Sequence, residues 1–76
     1  MDKVVLDLIL ELTDDEVVLE NLDIELFDTG LIDSLAFTEL LVGLEDKLNV
    51  VISPSEIDRS EMDTPRKIIA QVAARI

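Results

Sequence analysis

Apolar residues recur along this chain at intervals that divide it into a few helical segments and one long connection. In residues 2–12, Val4, Val5, Leu8, Ile9 and Leu12 fall at the three- and four-residue spacing of one helix face. Lys3, Asp7 and Glu11 make a polar stripe, and Leu6 and Leu10 extend the apolar surface, so this helix is expected to pack on most of its sides. Residues 13–33 form a long connection. Its opening, Thr13-Asp14-Asp15-Glu16, has the form of a capping box and predicts a short helical turn through about Leu19. Asn21-Leu22-Asp23-Ile24-Glu25-Leu26 alternates polar and apolar residues, but no second strand is available to pair with it, so it reads as extended loop.

Residues 34–48 carry the strongest helical pattern. Stepped around a helix, Phe37, Leu40, Leu41, Leu44 and Leu48 form the core stripe, and Asn49 is expected to end the element. Beyond Val50-Val51-Ile52, the run Ser53-Pro54-Ser55-Glu56 has an N-cap serine, a proline at the first helical position and a glutamate to close a capping box. It predicts a short helix. Thr64-Pro65 predicts the start of a last helix by the same logic, running to the end of the chain with Ile68, Ile69, Val72, Ala73 and Ile76 on its apolar side. The fold class expected is all-α: a small four-helix bundle with a long first loop, one domain over residues 1–76.

Composition sharpens this picture. The chain has 49% hydrophobic residues but only two glycines and two prolines, which favours compact helices over disorder. Phe27 and Phe37 are its sole aromatic residues, so the core must be built from Leu, Ile and Val together with Phe27 and Phe37. No cysteine is present, which excludes disulfides and thiolate metal sites. No apolar run is long enough to span a bilayer, no direct membrane insertion is expected, and the N-terminus lacks the basic flank of a signal peptide. A cytoplasmic monomer is the default expectation. Eighteen acidic against six basic residues give a net charge of −12. That surface repels nucleic acid and anionic lipid, and it favours encounter with proteins that carry basic docking patches.

The candidate chemistry lies at the start of the third segment. Asp28-Thr29-Gly30 makes a glycine turn, and Asp33-Ser34-Leu35 opens the helix. A helix N-terminus presents unpaired N–H groups and the positive end of a dipole, so a hydroxyl placed there is suited to carry a phosphodiester. The simpler reading is that Asp33 or Ser34 only caps the helix. Other chemistries fail on composition. Without histidine a Ser-His-Asp triad is impossible, and Ser34 has no evident general base in its own chain. The acidic run from Asp23 to Asp33 is not an EF-hand loop, because Phe27 occupies a ligand position and no glycine falls at the sharp turn. There is no Gly-rich phosphate loop, and no carboxylates have the spacing of a dedicated metal site. No self-sufficient enzyme emerges.

Two stretches carry a family resemblance. Leu26-Phe27-Asp28-Thr29-Gly30-Leu31-Ile32-Asp33-Ser34-Leu35 resembles the phosphopantetheine attachment region of acyl and peptidyl carrier proteins, which are small acidic four-helix bundles. Ser55-Glu56-Ile57-Asp58-Arg59-Ser60-Glu61-Met62-Asp63-Thr64-Pro65, followed by Arg66-Lys67-Ile68-Ile69-Ala70, resembles the D-alanyl carrier proteins of Gram-positive bacteria. That family commonly has Met where this chain has Leu35 and often Trp where it has Met62; both positions stay apolar. Ala36 follows the Asp-Ser-Leu, where carriers of fatty-acid synthesis usually place an aspartate.

The resemblance implies a covalent 4′-phosphopantetheine on Ser34, with Asp33 positioning the serine and docking the modifying enzyme. It implies three partners. A phosphopantetheinyl transferase (holo-synthase) would attach the arm from coenzyme A with magnesium. A D-alanine–carrier protein ligase would load D-alanine as a thioester. A membrane O-acyltransferase would receive it for D-alanylation of teichoic acids. The alternatives are a carrier for another acyl or aminoacyl group, in lipid, polyketide or peptide assembly, and an unmodified acidic interaction module. The helical wheel adds a candidate docking face. Leu35, Glu39, Val42 and Asp46 fall in one line, opposite the core stripe and beginning beside Ser34.

Overall fold

The computed structural model describes residues 2–76. Helix α1 spans Asp2–Thr13 and buries Val5, Leu8 and Ile9. It packs against all three of the other α-helices, which makes it the central element. Its end differs from the expected capping box. Thr13 remains in α1, with its hydroxyl donating to the Ile9 carbonyl at 2.9 Å. Asp14 then takes the left-handed conformation, φ 52°, while its N–H bonds the Leu10 carbonyl. The hydroxyl is thus spent on the preceding turn, and the role at the start of the next element passes to Asp15, whose carboxylate accepts from the Val17 N–H at 3.0 Å. Helix α2, Val17–Glu20, is one turn long and buries Val18.

The rest of the first loop is a series of turns rather than an extended segment, and no strand occurs among the described residues. Asn21 accepts from the Asp23 N–H in an Asx turn. Leu26 and Ile32 are buried and pinch the loop shut, with the Ile32 N–H donating to the Leu26 carbonyl at 3.0 Å. Gly30, φ 77°, lies between them at a position that an L-residue would strain to adopt.

Helix α3 covers Ser34–Leu48, as its pattern predicts. Phe37, Leu40, Leu41 and Leu44 are buried, and Leu48 packs against the core at its margin. Asn49 ends α3 in the left-handed conformation, bonding back to Glu45 and Leu44. Where α3 crosses α1, Gly43 allows Leu8 to come close: a Cβ there would lie 3.0 Å from Leu8 Cδ2.

The segment after α3 departs from expectation. Ser53-Pro54-Ser55-Glu56 closes one turn, with the Glu56 N–H on the Ser53 carbonyl, and no α-helix starts there. The hydroxyls of Ser53 and Ser55 pair with each other, Ile57 turns into the core, and Arg59–Glu61 forms a 3₁₀ turn. Helix α4, Pro65–Ala73, begins as predicted: Thr64 accepts from the Lys67 N–H, and Pro65 takes the first position. It buries Ile68 and Val72, with Ile69 packed at the edge. It stops before the expected end, leaving Ala73 exposed and Ile76 73% exposed, so neither joins the core. The architecture is the all-α one expected, with α2 rather than the Pro54 segment as the fourth α-helix.

Candidate functional site

The site is built at the N-terminus of α3. Asp33 has extended backbone, φ −108°, and its carboxylate accepts from the Ala36 N–H at 2.8 Å. Asp33 is therefore the cap, and Ser34 is the first helical residue. The cap leaves the Ser34 hydroxyl free to face outward, and Ser34 is exposed. Its carbonyl accepts from the Thr38 hydroxyl at 3.0 Å, which holds the first turn together.

One side chain reaches this hydroxyl from far along the chain. The guanidinium of Arg59, in the 3₁₀ turn, donates from Nη2 to Ser34 Oγ. The same guanidinium lies over the Phe27 ring, 5.0 Å from its centroid. Phe27 in turn meets Phe37 edge to face, with centroids 5.5 Å apart. Both aromatic residues of the chain thus form a step that begins in the core at α3 and ends under Arg59 beside Ser34. Of the two phenylalanines expected in the core, Phe37 is buried and Phe27 is only half-buried at its margin, and the sequence singles out neither Phe27 nor Arg59 as a site residue. Both lie inside the two stretches that carry the family resemblance, but nothing local shows that they meet.

Beside this step is a cleft of about 200 Å³ lined by Glu25, Phe27, Asp28, Arg59, Ser60 and Asp63. Its rim is acidic. A hydrogen bond with Asp28, and then the charge of Asp28, raise the Glu25 carboxyl above its ordinary range. Among the described residues, no three or more acidic side chains converge as metal ligands would.

The expected docking line is open to solvent. Leu35 is 69% and Val42 60% exposed, and Glu39 and Asp46 are exposed beside them. No helix among the described residues is long and apolar enough to cross a membrane.

A hydroxyl displayed on a capped helix start, with a cation at its oxygen, is a place where an anionic group can be carried. Comparison with known proteins points the same way. The family described as "Phosphopantetheine attachment site" matches residues 3–72. A D-alanyl carrier protein of Abiotrophia defectiva is 47% identical over 76 residues, covering 100% of this chain and 96% of the relative. One from Listeria welshimeri serovar 6b is 46% identical over 70 residues, covering 92% of this chain and 90% of the relative. Another, from Lacticaseibacillus casei, is 48% identical over 68 residues, covering 90% of this chain and 84% of the relative. With that identity sustained over nearly its whole length, the chain belongs to the phosphopantetheine attachment-site family and, within it, to the D-alanyl carrier proteins.

Proposed function

We propose that Ser34 is the attachment residue and that the chain carries D-alanine between separate enzymes. The observation that carries this reading is the display of Ser34 Oγ at the first position of a 15-residue helix, capped by its neighbour Asp33 and met by a cation. In the attachment step the bond from Ser34 Oγ to phosphorus forms as the pyrophosphate bond of coenzyme A breaks, and the adenosine 3′,5′-bisphosphate leaves. The serine proton leaves to a base as the bond forms, and with no histidine in the chain and the Asp33 carboxylate engaged by the Ala36 N–H, we assign that base to the transferase. The arm supplies a terminal thiol on which an aminoacyl group rides as a thioester.

The rest is the work of this chain's own residues. Asp33 fixes the first turn, so that the Ser34 hydroxyl is presented outward and not drawn into a capping bond. Leu35 and Val42 give partners apolar contact, and Glu39 and Asp46 orient them and speed encounter. The net charge of −12 draws enzymes with basic faces, and a tether at Ser34 keeps the cargo at high local concentration in each active site. The ligase and a membrane O-acyltransferase are the successive partners, and teichoic acid is the final acceptor.

The test has two arms. Apo protein is incubated with coenzyme A, magnesium and a broad-range phosphopantetheinyl transferase, and the added mass is mapped by fragmentation. The mass falls on Ser34 and is lost in Ser34→Ala; an adduct on Ser53, Ser55 or Ser60 overturns the assignment. The loaded protein is then offered to a D-alanine ligase with ATP, and separately to a fatty acyl ligase. Efficient fatty acylation without a D-alanyl thioester would make it a carrier of another pathway.

A further inference from the structure

We propose that Arg59 is a built-in counter-ion for the phosphodiester on Ser34, held ready on the Phe27 ring. This rests on Ser34 as the attachment residue.

Three observations carry it. First, Arg59 already touches the atom that would bear the phosphorus, since its Nη2 donates to Ser34 Oγ. The non-bridging oxygens of a phosphodiester sit one P–O bond beyond Oγ, within reach of the same guanidinium fork. A guanidinium has five N–H donors, and only one is engaged by the hydroxyl, so the fork has donors to spare for phosphate oxygens.

Second, Arg59 forms no ion pair among the described residues, in a chain with three times as many acids as bases. Arg66 is paired with Asp23 at 2.8 Å and Lys67 with Asp63 at 2.9 Å. Glu25, Asp28 and Asp63 line the same cleft as Arg59, yet its guanidinium turns to the neutral serine.

Third, the posture is supported from below. Phe27 offers its ring face 5.0 Å from the guanidinium carbon and is itself braced by Phe37 of α3. The arginine is therefore partly ordered before any anion arrives, which lowers the entropy lost on pairing. The pairing draws the first part of the arm toward the Phe27–Arg59 side of the helix start, so Arg59 acts as a positioning residue.

The experiment uses full-length holo protein of wild type, Arg59→Gln and Arg59→Lys, with Ser34→Ala as control. Folding is checked by far-ultraviolet circular dichroism, and modification by intact mass. The first readout is the ³¹P resonance of the phosphodiester at about 0.05 and about 0.5 M salt, a range over which an exposed pair becomes screened. The expected result is a different position in Arg59→Gln from wild type at low salt, with Arg59→Lys between them and the difference shrinking at high salt. The second readout is the rate of tryptic cleavage after Arg59. At low salt it is expected to be about 1.5- to 5-fold slower in holo than in apo wild type, the range that an exposed charge pair supplies, and equal at high salt. A mass gain that Ser34→Ala does not abolish overturns the attachment reading and the counter-ion with it. A gain confined to Ser34, with the same ³¹P position in wild type and Arg59→Gln, overturns the counter-ion alone. So does protease protection that persists undiminished at high salt, because that is steric blockage by the arm.

Discussion

The Leu26 N–H donates to the Asp63 carbonyl at 2.8 Å, tying the long first loop to the segment that leads into α4. A second tie runs from the Arg66 N–H to the Leu22 carbonyl at 2.9 Å, and the Arg66 side chain adds a bond to Asp23. These links lie between residues about forty positions apart, and they set Phe27 under Arg59. The arrangement at Ser34 therefore depends on the loop's anchorage as much as on α3.

Leu26 is the anchor to test. It is fully buried, and Leu26→Ala removes its packing and opens a cavity beneath both ties. Such truncations cost about 2–5 kcal/mol, a large share of the roughly 5–15 kcal/mol that holds a small domain together. Urea unfolding should show a clearly lower midpoint than wild type. An unfolding free energy within about 0.5 kcal/mol of wild type would mean that the loop does not hold the fold.

Asp33 has two separable jobs. As a cap, Asp33→Ala should cost about 0.5–2 kcal/mol, while Asp33→Asn retains most of the stability because asparagine caps nearly as well. As a charged contact for the transferase, Asp33 should be missed equally in both. The expected outcome is slowed modification of Ser34 in both variants, with a lowered melting temperature only in Asp33→Ala. Wild-type modification of Asp33→Asn would reduce Asp33 to a cap.

Local signals made most of this fold legible, and the exceptions have physical causes. The limits of α3 could be read because Asp33 and Asn49 each do one short-range task, capping the start and turning left-handed at the end. Thr64-Pro65 worked in the same way for α4. The run Ser53-Pro54-Ser55-Glu56 misled because a capping signal needs an apolar face behind it to propagate. Ile57 is drawn into the core immediately, and Asp58 returns to extended backbone, φ −81° and ψ 151°, before the 3₁₀ turn. Thr13 misled because its hydroxyl could bond back to Ile9 as easily as it could cap forward. At the site, Ser34 and Asp33 were visible as a helix start, but Arg59 was not, since only the folded loop brings it across 25 residues to Ser34.

Two carboxyls should give stability terms of opposite sign in acid. The hydrogen bond from Arg66 is the main cause that lowers Asp23 below its ordinary 3.8, so the unfolded chain binds more protons there. This contribution is present above 3.8 and is lost as pH falls through the lowered value. Glu25 is raised above 4.5, by its hydrogen bond with Asp28 first and the Asp28 charge second, so the folded chain binds more protons. Its contribution is present below 4.5 and is lost as pH rises through the raised value. Carboxyl titration by NMR should find Glu25 moving down toward its ordinary value in Asp28→Asn and Asp23 moving up in Arg66→Gln. An unmoved Glu25 would remove Asp28 as the cause.

Gly43 sits in α3 against α1, and replacing it sets two effects in opposition. Gly43→Ala gains roughly 0.5–1 kcal/mol of helix propensity. The new Cβ would lie 3.0 Å from Leu8 Cδ2, closer than comfortable contact. That atom is the end of a flexible side chain, and Leu8 borders a groove with Val4, Asp7, Glu11 and Lys47 into which it can shift. The expected result is a small gain in melting temperature without change in helical content. A loss of more than about 1 kcal/mol would show that the α1–α3 contact cannot yield.

The exposed line on α3 yields the last prediction. Leu35 and Val42 are large apolar side chains, 69% and 60% exposed, on the same helix face as Glu39 and Asp46. Isolated exposed apolar residues are common, so exposure alone decides nothing. What separates contact from accident is how each substitution responds to salt. If partners grip this line, Leu35→Ala and Val42→Ala should raise the KM of the ligase for the carrier by a similar factor at low and high salt. Glu39→Lys and Asp46→Lys should act chiefly on association, with the greatest effect at low salt and a fading one as screening shortens the reach of charge. None of the four touches the core, so circular dichroism and melting should stay close to wild type. Wild-type loading of all four variants would move the docking surface elsewhere, and the exposed side of Ile57–Met62, where Arg59 lies, would be the next surface to test.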